Sequence, residues 1–289
     1  MLTSKILVPL DGSELAESIT VHAQRLLHAK GASVALLRVV DSVDELASAS
    51  RELEVVRARF AERGVPATAR VVVGDPARRI VEIAEETGAT LIALSTHARS
   101  GVARLARGSV AEEVLRSALV PVLVASPLSL GAREELPIRR ILVPLDGSQR
   151  AAAVLPEASE LARLHGAELV LLHAVDLSWC HYPEVARPHM LAEAKAYLAR
   201  ELERLDVRAR GVIEEGDPAT RILEAVAKEG ADIIALAAHG RTGLARLAYG
   251  SVAEAVVRRS TCPLLVARRA GKTESPDPRV ATVSRGAAT

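Results

Sequence analysis

Short runs of consecutive apolar residues alternate along this chain with longer stretches in which apolar positions recur at helical spacing. The runs at 6–10, 34–40, 67–73, 90–95 and 120–125 predict strands. The first, 6–10, is continuously apolar, the pattern of a strand buried on both faces of a parallel sheet. The stretches at 14–30, 44–63, 77–87 and 109–118 predict helices. Gly31, Gly64 and Gly88 follow the first three and supply C-terminal stops. Residues 101–107 read as a loop. Strands alternating with helices predict an α/β fold, a parallel sheet covered on both faces.

The same order then repeats. Lys5-Ile6-Leu7-Val8-Pro9-Leu10-Asp11-Gly12-Ser13 returns as Arg140-Ile141-Leu142-Val143-Pro144-Leu145-Asp146-Gly147-Ser148, 135 residues later. Thr96-His97-Ala98-Arg99-Ser100-Gly101 and Gly108-Ser109-Val110-Ala111-Glu112 return as Ala238-His239-Gly240-Arg241-Thr242-Gly243 and Gly250-Ser251-Val252-Ala253-Glu254, 142 residues later. The second half therefore holds seven more residues between its two phrases. A unit of about 130 residues buries its own core, so this is a duplicated domain and not a solenoid repeat. We expect domains at 1–130 and 138–270. Residues 126–137, with two prolines and a glycine, read as the inter-domain linker, and 271–289, where the apolar pattern has ended, as a disordered tail.

Composition narrows the class. Of 289 residues, 49% are hydrophobic and 25% charged, with a net charge of +1. That balance supplies no bulk field for nucleic acid. No apolar run is long enough for a membrane helix, and no signal peptide is visible. Cys180 and Cys262 lie at non-equivalent places, which fits a reducing cytoplasm better than a disulfide framework. Aromatic residues make up only 2% of the chain, so a bound base would be held by aliphatic side chains and backbone.

In open parallel sheets ligands bind beyond the carboxyl ends of the strands, where strand order reverses. Gly250-Ser251 sits at such a place and opens a helix. Glycine permits close backbone approach, and the Ser251, Val252 and Ala253 amides are free first-turn donors, an arrangement suited to phosphate. His239 and Arg241 precede them, with Arg241 placed to reach a terminal phosphate. Gly108, Ser109 and Val110 are the counterparts. The plain alternative is an N-cap. Asp11 and Asp146 read either as helix caps, with Glu14 or Gln149 three residues on, or as carboxylates for a ribose hydroxyl or base amino group. Cys180, His181 and His189 have metal-ligating types but no completing spacing, so no metal site is expected. His97 and His239 read as shaping the phosphate loop, with a general-base role as the alternative, and no residue is assigned a catalytic role. His173, inside a strand, reads as a satisfied core residue. Arg133, Arg139 and Arg140 read as a solvated linker end.

These landmarks resemble the universal stress protein family, over the whole chain except its tail, as a tandem pair. The resemblance implies a doubly wound, five-stranded parallel sheet in the order 3-2-1-4-5 with four helices per domain. It also implies antiparallel pairing of fifth strands, and dimers. Nucleotide-binding members show Gly-x-x-Gly-x₉-Gly-Ser/Thr. Here the second half has Ala237, Gly240, Gly250 and Ser251, and only the first glycine is replaced. The first half has Ser95, Ala98, Gly108 and Ser109, without either leading glycine. By resemblance Asp146 and the Ala174 backbone contact ribose and adenine, with Asp11 and Val39 as counterparts. The expectation is a stress-response regulator that binds ATP, with or without Mg²⁺, in its second half and less or not at all in its first.

Two other functions compete. No Gly-x-x-x-x-Gly-Lys-Ser precedes either Gly-Ser turn, and no base for water stands out, so hydrolysis would be slow or incidental. A nucleotide-independent structural or signalling module is the other reading. The edge strands at 120–125 and 263–267 should pair, inside one chain as a pseudo-dimer or across two chains as a homodimer. The protein partner and the stress signal are not encoded legibly.

Overall fold

A computed structural model describes residues 1–27, 31–96, 109–129, 137–178, 180–237 and 251–267. The first half runs β1 (Lys5–Pro9), α1 (Glu14–Glu17), α2 (Ile19–Leu26), β2 (Ser33–Val40), α3 (Leu46–Glu62), β3 (Ala67–Val73), α4 (Pro76–Thr87), β4 (Leu91–Ser95), α5 (Ser109–Ser117) and β5 (Val122–Ala125). The second runs β6 (Arg140–Pro144), α6 (Gln149–Ala152), α7 (Leu155–His165), β7 (Glu168–Val175), α8 (Pro183–Glu203), β8 (Ala209–Glu215), α9 (Pro218–Glu229), β9 (Ile233–Ala237), α10 (Ser251–Arg259) and β10 (Leu264–Ala267).

The strands form one sheet in the order β3-β2-β1-β4-β5-β10-β9-β6-β7-β8. Each half is parallel with the expected 3-2-1-4-5 order. The seam is antiparallel, with Leu264 opposite Val124, Leu265 opposite Leu123 and Val266 opposite Val122. The fifth strands thus seal each other within the chain. Because the seam is antiparallel, the carboxyl ends of the two sets of strands point to opposite edges of the sheet. The outer strands β3 and β8 are half-exposed and carry ion pairs such as Arg70–Glu86 and Lys228–Glu214, which discourage edge-to-edge pairing.

Strand side chains alternate between two apolar layers. Ile6, Val8 and Leu36 pack with Ile19, Leu26 and Phe60 on one face. Leu7, Leu37 and Ile92 pack with Ile80, Ile83 and Val114 on the other. Full burial of side chains this size contributes about 1.5–3 kcal/mol each.

Two expectations change. The helix over 14–30 is broken. The Ser18 hydroxyl bonds the Leu15 carbonyl and Thr20 Oγ1 donates to the Glu17 carbonyl at 2.6 Å, so both hydroxyls compete with helical amides. In the second half Pro156 enters α7 without an N–H, and the chain breaks between Ala152 and Leu155. The helix over 44–63 begins instead with a 3₁₀ turn, Val43–Glu45, fixed by a capping box in which Glu45 accepts from the Ser42 amide at 3.2 Å. The linker begins inside the fold. Ser126 and Ser129 are buried, and the Ser126 hydroxyl donates to the Ser260 carbonyl of the other half at 3.0 Å.

Candidate functional site

Strand β6 lies between β7 and β9, and β1 between β2 and β4. These are the points where strand order reverses, and a crevice opens there beyond the carboxyl ends. Asp146 leaves β6 at this crevice, Ala174 lies near the end of β7, Ala237 ends β9, and Ser251 opens α10. Ser251 is exposed, while Val252 and Ala253 pack against the sheet. The first-turn amides of α10 have no intrahelical acceptor and stand at its positive end. In the first half Asp11, Val39 and Val110 hold the matching places, and Ser109 begins α5. His97, Gly108, His239, Gly240, Arg241, Gly243 and Gly250 lie outside the described residues.

The aspartates are not the helix caps. Ser13 and Ser148 are, each hydroxyl accepting the amide three residues on at 3.1 Å. Asp11 and Asp146 instead close a turn by accepting the Ser13 or Ser148 amide at 2.9 Å. The turn needs Gly12 and Gly147 at φ of 80° and 87°. The aspartates of the third marked segment do serve as caps. Asp75 holds the Arg78 amide, and Asp217 holds the Thr220 amide and hydroxyl.

The two turns then differ. Asp11 Oδ1 takes the Ser13 hydroxyl, at 2.6 Å, as well as the amide, whereas Asp146 Oδ1 takes the Ser148 amide alone among the described residues. The Arg38 guanidinium lies over Gly12. A Cβ built there would sit 2.0 Å from Arg38 Nη1. At the matching place, His173 Cε1 would be 3.8 Å from a Cβ on Gly147. His173 is not the satisfied core residue expected. It is half-buried, its Nδ1 lacks a partner among the described residues, and its ring meets Tyr197 edge-on at 5.9 Å. Burial pushes its pKa down against the pull of Asp146, so it is neutral near pH 7. The first turn thus has a guanidinium over its glycine where the second has a neutral ring. The signal was present in the repeat, where Leu-Leu-Arg-Val-Val becomes Leu-Leu-His-Ala-Val.

Beside Ala174, a cavity of about 360 Å³ is bounded by Asp176, Ser178, Glu215 and Asp217 at the ends of β7 and β8. Arg187 grips Glu215 through two hydrogen bonds, at 2.7 and 2.8 Å, and ties the start of α8 to this rim. No three His, Cys, Asp or Glu side chains gather as metal ligands among the described residues. His189 instead faces Glu193 at 3.6 Å on exposed helix. Arg139 and Arg140 are anchored, not loose, because their amides donate to Asp232 at 2.8 and 3.1 Å. No helix among the described residues is long and apolar enough to cross a membrane.

Comparison with known proteins agrees with this architecture. The profile of the universal stress protein family matches residues 3–126 and again 137–268. Universal stress protein Rv2005c of Mycobacterium tuberculosis is 29% identical over 221 residues, 72% of this chain and 71% of that protein. Universal stress protein MJ0531 of Methanocaldococcus jannaschii is 33% identical over 139 residues, 43% of this chain and 82% of its own. A crystal structure of a universal stress protein from Archaeoglobus fulgidus superposes with a TM-score of 0.67, covering 93% of this chain and 97% of that one at 22% identity, a likeness of fold. With two consecutive matches spanning nearly all of both halves, the chain belongs to the universal stress protein family, as a tandem pair of its domains.

Proposed function

We propose that the second half binds ATP at the β6–β9 crevice and that the first half binds it weakly or not at all. The observation that carries this reading is the contrast between the two turns. Asp146 takes only the Ser148 amide among the described residues and stands beside a neutral His173, while Asp11 takes both the amide and the hydroxyl of Ser13 and Gly12 is covered by Arg38. The residues suit the ligand. The α10 amides from Ser251 to Ala253 would receive phosphate oxygens, Asp146 the ribose, and the Ala174 backbone with its adjoining cavity the base. Phosphate charge would recruit Mg²⁺ together with the nucleotide. Asp75 and Asp217 serve as helix caps, and no group among the described residues is placed to activate water. We therefore favour a regulatory binding protein acting inside the cell over a dedicated ATPase. The fifth strands occupy each other, so a further homodimer, like an unidentified protein partner, would have to use another surface.

The test is the nucleotide content of the protein purified without added ligand, together with Asp146→Ala and Gly250→Asp. About one adenine nucleotide per chain, lost in both variants, supports the assignment. About two overturns the asymmetry. None, with no calorimetric binding of added Mg-ATP, leaves a nucleotide-independent module.

A further inference from the structure

A second cavity, of about 530 Å³, runs between α6–α7 and α8, from Ser148 at one end to Leu205 and Asp206 at the other. Its walls differ from the first half in a consistent direction. Counting back from the C-terminal caps, Arg63 in α3 and Arg204 in α8, places Val56 opposite Tyr197 and Phe60 opposite Glu201. Counting from the N-caps Ser13 and Ser148 places Gln24 opposite Ser159. Val56 and Phe60 are 4% and 1% exposed and belong to the apolar core. Tyr197 and Glu201, at 9% and 7%, are as buried but polar. The first half fills this space with a phenyl ring, and the second lines it with a phenol and a carboxylate.

The polar groups are incomplete. The Tyr197 and Ser159 hydroxyls, both on residues at least nine-tenths buried and bordering the cavity, have no hydrogen-bond partner among the described residues. A buried hydroxyl left unpaired is costly, so two of them on one cavity point to a molecule that completes them. The charges, by contrast, are already balanced. Glu201 takes Arg204 at 3.2 Å, and Asp206 takes Arg163 at 3.2 and 3.3 Å.

We propose that this cavity binds a neutral, monosaccharide-sized molecule carrying vicinal hydroxyls. An ion would leave one of the paired charges in excess. Adjacent hydroxyls can give to the Glu201 carboxylate and take from Arg204 at once, while the Tyr197 and Ser159 hydroxyls both give and take. Ala152, Ala153, Leu155 and Pro156 offer an aliphatic wall for the C–H face of a ring. The volume lies within the usual range for small-molecule sites. Gly147 and Ser148 border this cavity and also follow Asp146, so its occupant would touch the turn that ends at the strand-edge site.

The experiment titrates the full chain, with labelled methyl groups, against methyl α-D-glucopyranoside and methyl β-D-ribofuranoside, followed by NMR. Saturable shifts of the Ala152, Ala153, Leu155 and Leu205 methyls are expected with one of the two, and which one tells a hexose from a ribose source. Tyr197→Phe, which removes only the hydroxyl, should weaken binding roughly tenfold, and Ser159→Ala should act in the same direction. Nucleotide content should stay unchanged in both variants, which separates this site from the strand-edge site. The proposal is overturned if neither glycoside gives saturable shifts at tens-of-millimolar concentration, or if Tyr197→Phe binds as tightly as the parent. The first result would leave the cavity only hydrated, and the second would mean that the Tyr197 hydroxyl takes no part in binding.

Discussion

Arg25 of the first half and Asp232 of the second meet at 3.3 Å, with side chains only 7% and 6% exposed. Asp232 also takes the Arg139 and Arg140 amides where β6 begins. The matching position in α7, Glu160, accepts the Leu2 amide at 2.6 Å, so each half reaches across to the amino end of the other. The two partners of the ion pair are not equivalent. Removing Arg25 leaves Asp232 held by two amides, whereas removing Asp232 takes an acceptor from the guanidinium and from two N–H groups at once.

Asp232→Leu should therefore cost more than Arg25→Met, about 3–5 kcal/mol against a smaller loss. Urea unfolding of both variants checks the order. Equal costs would mean that the amide contacts contribute little.

His22 gives the chain an acid-sensitive joint. Its Nε2 lies 3.1 Å from the Ser129 carbonyl and therefore carries the proton, while Nδ1 is buried without a partner among the described residues. Burial, with a smaller push from Arg25, lowers its pKa from 6.5 to about 4. A lowered histidine pKa means that the unfolded chain takes up the proton first. Stability from this group is complete above pH 6.5 and declines as pH falls toward 4, by about 3 kcal/mol at most. His22→Gln should flatten that part of the stability profile relative to the parent. Superimposable slopes would contradict the assignment.

Phe60→Ala should destabilise by about 3–5 kcal/mol, because the ring is fully buried and its neighbours cannot collapse onto the space. Tyr197→Phe should be neutral or stabilising by up to about 1 kcal/mol in the ligand-free protein, since it deletes an unpaired hydroxyl. Thermal unfolding of the two variants side by side tests whether the matching helix faces carry such different loads.

Arg38→His converts the first turn to the side chain of the second. It should uncover Gly12 and raise adenine-nucleotide content above the parent's, and more so when combined with Ala98→Gly. If content does not rise in either protein, the guanidinium is not what sets the halves apart.

Sequence patterning located the described strands of the first half, and the repeat those of the second, because fully buried runs such as Ile6-Leu7-Val8 stand out against polar turns. It also anticipated the closed seam, since an apolar fifth strand needs a partner. It missed the breaks at Ser18 and Pro156, where a hydroxyl or an absent N–H acts locally against a helical period that continues. It misread Asp11 and Asp146 as capping candidates because Asp-Gly-Ser offers two side chains, and the geometry of the glycine turn selects the serine. Arg25 and Asp232 were invisible for another reason. They lie 207 positions apart, and no periodicity links residues across two domains. The phosphate-loop residues Gly240, Arg241 and Gly250 rest on sequence alone.

The antiparallel seam between β5 and β10 has a consequence for symmetry. Two copies of a short chain joined at such a seam must bear identical residues on both sides of the axis, so every substitution occurs twice. Covalent linkage lifts that constraint. Phe60 could become Glu201 on one side only, and Arg38 and His173 could diverge while the joint between them stayed the same. The fused chain is in effect an obligate heterodimer of fixed one-to-one stoichiometry, in which two unlike halves meet in every molecule.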